Sequence, residues 1–255
     1  APVTAFLSVA SKAAGFVALV VLIYTAFPLS EAIWQPFIWV LSALTMTIGN
    51  VLALKQKNIV RMIAYSSISQ GGFVLMPLAV AGLVGSGSTA LRSVVLYMIV
   101  YAATNLGIFA VILAVSNKTR SGDVSSFGGL FSYAPALGVL MTLFLASLAG
   151  IPPLGGWIAK FVAFQSLIQS QSAWGYALAI IGAVNSVVAF GYYGNVMREI
   201  WMRPVPDGDV TPITIPGSLR LALVITAGAT LVFGVLPGVG LYFADLAEIA
   251  GAIIR

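Results

Sequence analysis

"GIPPLGGWIAKFVAF", residues 150–164, sets Pro152 and Pro153 between pairs of small residues in a very apolar part of the chain, and follows them with Lys160. Proline lacks the N–H that a helix needs, and its ring clashes with the preceding turn, so a helix running through this stretch must break. The apolar run around it, about 134–170, is too long for one membrane crossing, and neither side of the break is long enough to cross alone. The stretch therefore predicts two half-helices in tandem, one discontinuous span whose broken middle is Gly150, Pro152, Pro153, Gly155 and Gly156.

The rest of the chain fits a membrane setting. Of 255 residues, 60% are hydrophobic and only 7% charged, with a mean hydropathy of +1.05, whereas a soluble domain carries roughly a quarter charged residues. Runs of about 20 apolar residues match the ~30 Å hydrocarbon core as helices, and the alternation of a barrel strand is missing, so the fold class is an all-α membrane protein. Seven transmembrane helices are expected in a single membrane domain, over 3–27, 35–54, 59–84, 89–116, 134–170 with its break at 150–156, 173–197 and 218–243. The chain begins at Ala1 with neither an initiator methionine nor a signal-peptide pattern, and so reads as a fragment of a longer or processed protein.

Several chemistries are excluded outright. There is no cysteine and no histidine, which removes disulfides, thiolate catalysis, cysteine-held iron–sulfur clusters, histidine-ligated haem and the usual zinc sites. No metal site and no cofactor is expected in this chain, and any redox step must occur elsewhere. The net charge of +5 comes from singly scattered basic residues, which argues against nucleic acid as a partner and for orientation in a bilayer. Lys55, Lys57, Arg61, Lys118, Arg120, Arg198, Arg203 and Arg220 fall in alternate connections, with only Arg92 and Arg255 opposite. Positive residues are retained in the cytoplasm, so the first side is cytoplasmic and the first span runs outward. Trp34, Trp39 and Trp201 near span ends read as interfacial anchors. "GSGS" at 85–88 has the composition of a phosphate loop but neither its lysine nor its strand.

Two basic residues remain, and both lie within spans: Lys12 and Lys160. No acidic residue does the same, since Glu31, Asp123, Glu199, Asp207, Asp209, Asp245 and Glu248 fall in connections or at span ends. A lysine at the centre of a membrane helix costs roughly 3 kcal/mol to insert and is usually kept for work in a hydrated interior. An ammonium removed from bulk water exchanges its proton when a neighbouring charge moves, so the pair reads as a proton relay. A broken helix beside Lys160 adds free backbone carbonyls and half-helix ends. Polar side chains able to hold water between the stations are Ser8 and Ser11; Tyr65, Ser66, Ser67, Ser69 and Gln70 of "YSSISQ"; Tyr97, Tyr101, Thr104 and Asn105; and Asn185 and Ser186. The same residue types also stitch membrane helices together.

Three stretches in order, "PVTAFLSVASKAAGF" (2–16), "KQKNIVRMIAYSSISQGGFVL" (55–75) and "LASLAGIPPLGGWIAKFVAF" (145–164), resemble the antiporter-like N subunits of respiratory complex I, the proton-pumping NADH:quinone oxidoreductase, and their chloroplast counterparts. The resemblance runs along essentially the whole chain. It implies a fold of fourteen spans built on two inverted five-helix repeats, of which this chain would carry spans eight to fourteen, the C-terminal half. On the matching positions it implies that Lys12 links two half-channels and that Lys160 stands near the outlet. A glutamate and a lysine that the family carries in its first repeat have no counterpart here. Many relatives have histidine where this chain has Gln70, and glutamine orients water but does not titrate. The implied activity is that of a subunit of a proton-translocating NADH:quinone oxidoreductase, with no redox centre of its own. NADH, FMN, iron–sulfur clusters and quinone would sit in other subunits, the other membrane-arm subunits would be its partners, and no quinone motif is evident here. The location implied is a bacterial cytoplasmic membrane, with thylakoid and inner mitochondrial membranes as alternatives. A subunit of a multisubunit sodium/proton antiporter shares the fold and the lysines and is the competing transporter reading. A passive scaffold whose lysines only pair with neighbours is the structural one.

Overall fold

The computed structural model of the chain describes residues 2–27, 30–83 and 87–253, and describes no side chain at 2, 87, 88 or 247–253. Arg255 and the first half of "GSGS" lie outside the described residues, as does the side chain of Glu248. Among the described residues there are nine main helices: α1 (Val3–Ala26), α2 (Glu31–Leu54), α3 (Ile59–Leu75), α4 (Gly87–Thr119), α5 (Pro135–Ala149), α6 (Gly155–Gln169), α7 (Ala173–Met202), α8 (Gly217–Val235) and α9 (Pro237–Ile253).

Local chemistry sets several of these limits. Asn58 caps α3 by accepting the Arg61 N–H at 3.1 Å, and Ser172 caps α7 by accepting the Gly175 N–H at 2.9 Å, each satisfying an orphan donor of a helix start. α5 and α9 open on proline, the residue whose missing N–H costs nothing there. α1 carries two π-helical segments, Leu7–Ser11 and Leu22–Ala26, with Lys12 directly after the first.

Two expected spans are shorter as helices than their apolar runs. The run 59–84 leaves the α-helix at Leu75, because Pro77 interrupts the ladder and a 3-10 turn, Leu78–Val80, follows. The run 218–243 is divided: α8 ends at Val235, Leu236 turns the chain with φ −118° and ψ 69°, and Pro237 starts a new helix. Asp245, expected at a span end, consequently lies inside α9, where it pairs with Arg92 of α4 at 2.7 Å. The break in the fifth span covers 150–154, and Gly155 and Gly156 belong to the first turn of α6. α5 and α6 have 15 residues each, about 22 Å at 1.5 Å per residue, so only the pair in tandem reaches across.

α2 to α7 enclose the core with α8 packed on α4 and α6, and α1 lies on its flank with its outer surface exposed. The basic connections gather at one end. Ile59 N–H donates to Gly122 O and Val124 N–H to Lys57 O, while Gly129 N–H donates to Glu199 O. Lys118 pins the 203–216 connection there, donating to Asp209 O (2.9 Å) and Thr211 O (2.5 Å). Hydrogen bonds from the Thr211 backbone and hydroxyl, helped by Lys118, hold the Asp209 carboxyl below its usual range.

α2 and α3 approach closely through glycine. Ser42 Oγ donates to Gly72 O at 2.8 Å, and a methyl group on Gly72 would lie 2.7 Å from Met46 N and 2.9 Å from Ser42 O. Such contacts drive helix association where lipid competes equally well for apolar surface. Gly72→Ala should therefore destabilise the bundle by about 1–3 kcal/mol, read as a lower unfolding temperature in detergent. Gly71→Ala, whose methyl would meet only the Phe16 ring at 3.9 Å, should leave that temperature unchanged.

Candidate functional site: two lysines and the polar core between them

Lys12 leans from α1 onto α3 and α4. Its ammonium donates to Ser67 Oγ at 2.6 Å and to the Ser67 carbonyl, lies 3.4 Å from the Tyr101 hydroxyl and sits 4.6 Å from that ring's centroid. Lys160 is buried on α6. Its ammonium reaches back across the break to Ala149 O at 3.1 Å, approaches Ser186 Oγ of α7 at 3.5 Å and lies 4.7 Å from the centroid of the Phe73 ring. Both ammonium groups are thus held by carbonyls, hydroxyls and ring faces, and among the described residues neither has a carboxylate within ion-pair distance.

The break itself is chemically closed. Gly150 adopts φ +91°, Ile151 N–H donates to Ala146 O and Gly150 N–H to Ser147 O, the paired bonds of a Schellman cap that needs a residue without Cβ at that position. At the other side Gly156 N–H donates to Ser147 Oγ at 3.0 Å, so one serine of α5 caps the start of α6. A methyl group at Gly156 would strike the Ser147 carbonyl, which fixes glycine there. The peptide between Pro152 and Pro153 is cis.

Between the lysines lies a fully buried amide and hydroxyl cluster. Tyr97 donates to Gln70 Oε1 at 2.5 Å, and Gln70 Nε2 donates to Leu148 O and to the Tyr193 hydroxyl, both at 3.3 Å. Tyr193 in turn bonds Ser66. Next to this cluster a cavity of about 10 Å3 is lined by Gln70, Tyr97, Tyr101, Thr104, Ser147 and Gly156, among others, room for about one water molecule with polar groups on several sides. Thr104 also faces Ser147 and Thr230, each at 3.4 Å. Phe73 stacks on Tyr97 at 6.5 Å and also meets the Lys160 ammonium, so one ring touches both the cluster and the second lysine.

Not every residue picked from the sequence joins this arrangement. Ser67, Gln70 and Tyr101 do, and Ser186 touches Lys160. Asn105 donates to Ser8 at 2.8 Å on the α1 side. Tyr65 is half-buried at the edge of the core, lining an open groove with Gln56, Arg61, Ala64 and Ile68, and Ser11 is exposed. Asn185 belongs to a separate tie between α2 and α7: Asn50 Nδ2 donates to Asn185 O and Oδ1 (2.9 Å each), Asn185 Nδ2 donates to Thr47 Oγ1 (3.2 Å), and Tyr192 donates to Asn50 Oδ1 (3.0 Å). The sequence reading passed over Asn50, Phe73, Ser147, Tyr193 and Thr230. A polar residue inside an apolar run is the available signal for all but Phe73.

Residues 1–187 match the family described as NADH:quinone oxidoreductase/Mrp antiporter, TM. The chain belongs to this family. Among curated relatives, NADH-quinone oxidoreductase subunit N of Trichlorobacter lovleyi is 40% identical over 96% of this chain and 49% of its own length. The protein of that name from Dehalococcoides mccartyi is 39% identical over 92% of this chain and 48% of its own. The chain thus spans about half the length of the curated relatives it matches. Among solved structures, a chain of respiratory complex I from Thermus thermophilus superposes with a TM-score of 0.67 at 27% identity, covering 81% of this chain and 45% of that one. A chain of the Mrp complex from Dietzia sp. superposes with a TM-score of 0.74 at 20% identity, covering 88% and 48%, a likeness of fold alone. Membership of this family, together with six helices long and apolar enough to cross a bilayer, makes the chain an integral membrane protein with an all-α fold.

Gln70 is buried with three partners. Gln70→Leu should strand the Tyr97 hydroxyl and the Leu148 carbonyl and cost about 1–3 kcal/mol, measured as a lowered unfolding midpoint.

Proposed function

We propose that this chain conducts protons within the membrane arm of an NADH:quinone oxidoreductase, through Lys12, the polar core and Lys160. The observation that carries this reading is two ammonium groups, on different helices, held by neutral partners that adjoin one buried hydroxyl and amide cluster, Lys12 on Ser67 and Tyr101 and Lys160 on Ala149 O and the Phe73 ring. An ammonium without a counter-ion keeps or loses its proton in response to charges brought near it. Lys12 would pass a proton to the hydroxyl side of the core through Ser67 and Tyr101. The water-sized cavity between Tyr101, Tyr97 and Ser147 bridges the middle. Gln70 holds Tyr97 and Tyr193 in place but has no site for an extra proton, so it orients the chain of hydroxyls and does not itself relay. Lys160, poised on Ala149 O beside the break, is the second station.

The names of the curated relatives support the oxidoreductase assignment over the antiporter one. Relatives named as subunit N reach 40% identity, against 20% for the chain from the Mrp complex. In this reading NADH, FMN, iron–sulfur clusters and quinone belong to other subunits, the neighbours are membrane-arm subunits, and the site is a bacterial cytoplasmic membrane. The chain's own residues supply the proton path and no redox chemistry.

Lys160→Met in the full-length protein within its complex should lower the proton-to-electron ratio severalfold, while NADH oxidation by an artificial acceptor stays at the parent rate. A ratio equal to the parent's would remove the relay role. Sodium-dependent transport in vesicles free of quinone reductase would transfer the chain to the antiporter class. Lys12→Ala separates relay from scaffold: it should impair pumping in complexes that assemble at normal yield, and loss of assembly alone would favour the scaffold.

A further inference from the structure

The fifth span is not the only discontinuous one, and its break meets a second. α8 and α9 run antiparallel to α4 in one sequence of contacts, with Thr230 facing Thr104, Gly240 against Leu96 and Asp245 paired with Arg92. The turn at Leu236–Pro237 therefore lies part-way along α4, inside the bundle's length and not at its rim. Gly234, buried one turn-step before it, is where the two breaks touch. A methyl group there would fall on the Pro153 carbonyl oxygen and lie 2.5 Å and 2.6 Å from the backbone carbons of Leu154. The neighbouring glycine on the other side of the joint is also crowded, though less severely and partly by side chains. A methyl group at Gly155 would lie 3.0 Å from a Val100 methyl, 3.1 Å from Thr230 O and 3.4 Å from Phe233 Cβ. The contact at Gly234 is backbone on backbone, so no side-chain rotation could relieve a crowding group there.

We propose that Gly234 and the Leu236–Pro237 turn form a positioning joint that holds the 150–154 linker of the broken span, and through it Lys160, in place. The path is short. Leu154 precedes the first turn of α6, Gly156 is tied to Ser147, and Lys160 stands one turn further on, bonded back to Ala149 at the other lip of the break. Moving the linker therefore changes the geometry between Lys160 and its carbonyl partner directly. The far limb, α9, is fastened to α4 by the Arg92–Asp245 pair, so the joint has a fixed arm to bear on. Gly234 does not touch the relay groups. It is a positioning residue for Lys160.

The positioning stands on the geometry alone, and only its effect on protons rests on the proposed function. Cysteines introduced at Val139 of α5 and Ile168 of α6, both exposed, carry spin labels in the full-length protein in lipid. These 255 residues have no cysteine of their own, and any cysteine elsewhere in the full-length protein is replaced by serine before labelling. Gly234→Ala should shift the mean label separation measured by double electron–electron resonance. Pro237→Ala supplies the missing N–H without crowding anything, lets α8 continue into α9, and should shift or broaden the same separation. Gly228→Ala on the same helix, with open space around its methyl, should leave it unchanged. Should Gly234→Ala fail to assemble, Pro237→Ala decides the matter. Unaltered separations in the assembled variants, or an equal shift in Gly228→Ala, overturn the joint. With the shift present, the proton-to-electron ratio should fall, by no more than the severalfold expected of Lys160→Met, which removes the displaced group outright. A shift with an unchanged ratio would keep the joint and overturn the relay reading instead.

Discussion

The Lys160 ammonium donating across a broken helix to Ala149 O is the interaction on which the interior turns. In a hydrocarbon setting every backbone polar group has to find a partner within the protein, and a helix interrupted by Pro152 and Pro153 exposes several at once. The structure meets that demand locally: Gly150 folds the end of α5 onto itself, Ser147 caps the start of α6, and the lysine takes a carbonyl that the interrupted ladder leaves free. The charge and the break thus stabilise each other. A lysine without the break would lack its acceptor, and the break without the lysine would leave that carbonyl facing apolar side chains.

Satisfying the break by backbone geometry makes the surrounding packing exacting. Gly72 and Gly156 stand where a single methyl group would press on another helix's backbone, and Gly234 where it would press on the backbone of the 150–154 linker. Close approach of this kind supplies attraction that lipid cannot match, and it transmits displacement, because backbone cannot swing aside as a side chain can. The same economy of space accounts for the cavity beside Gln70, which takes about one water and no more. Polar groups in the core are therefore close enough to communicate and too tightly held to be flooded.

What could be read from the sequence follows from how locally each feature is encoded. The break at 150–154 is announced by two adjacent prolines flanked by small residues, and no tertiary contact can restore the lost ladder. Pro237 carries the same covalent message, but it lies near the end of an apolar run, where a proline also fits the close of a span, and only packing against α4 shows that the chain continues as helix. "YSSISQ" illustrates the limit of composition. Five polar residues within six positions of a helix sweep more than a full turn at about 100° per residue, so they cannot all face the centre of the core, and Tyr65 is the one left half-buried at its edge, beside an open groove. Asn50, Asn185 and Tyr192 are isolated polar residues on two distant helices whose partnership exists only once α2 meets α7. Phe73 offers no polar signal at all, since its role depends on which cation and which ring the fold places on its faces.

The distribution of charge bears on what such a chain can do unaided. Its described carboxylates lie at the ends of the bundle or on its rim, Asp209 strapped by Lys118 and Asp245 by Arg92, while the two interior ammonium groups face only neutral partners. Nothing described between the lysines can hold a fixed negative charge, and Gln70 at the centre cannot acquire a positive one. The proposed relay therefore has no internal source of bias, because moving a proton from one lysine to the other would exchange one neutral cage for another of similar kind. Direction has to be imposed by a charge approaching from outside the cluster, at α1 on one side or at the break on the other. In the proposed function the core is a conductor, and the proposed joint at Gly234 bears on the linker that leads to one of its two stations.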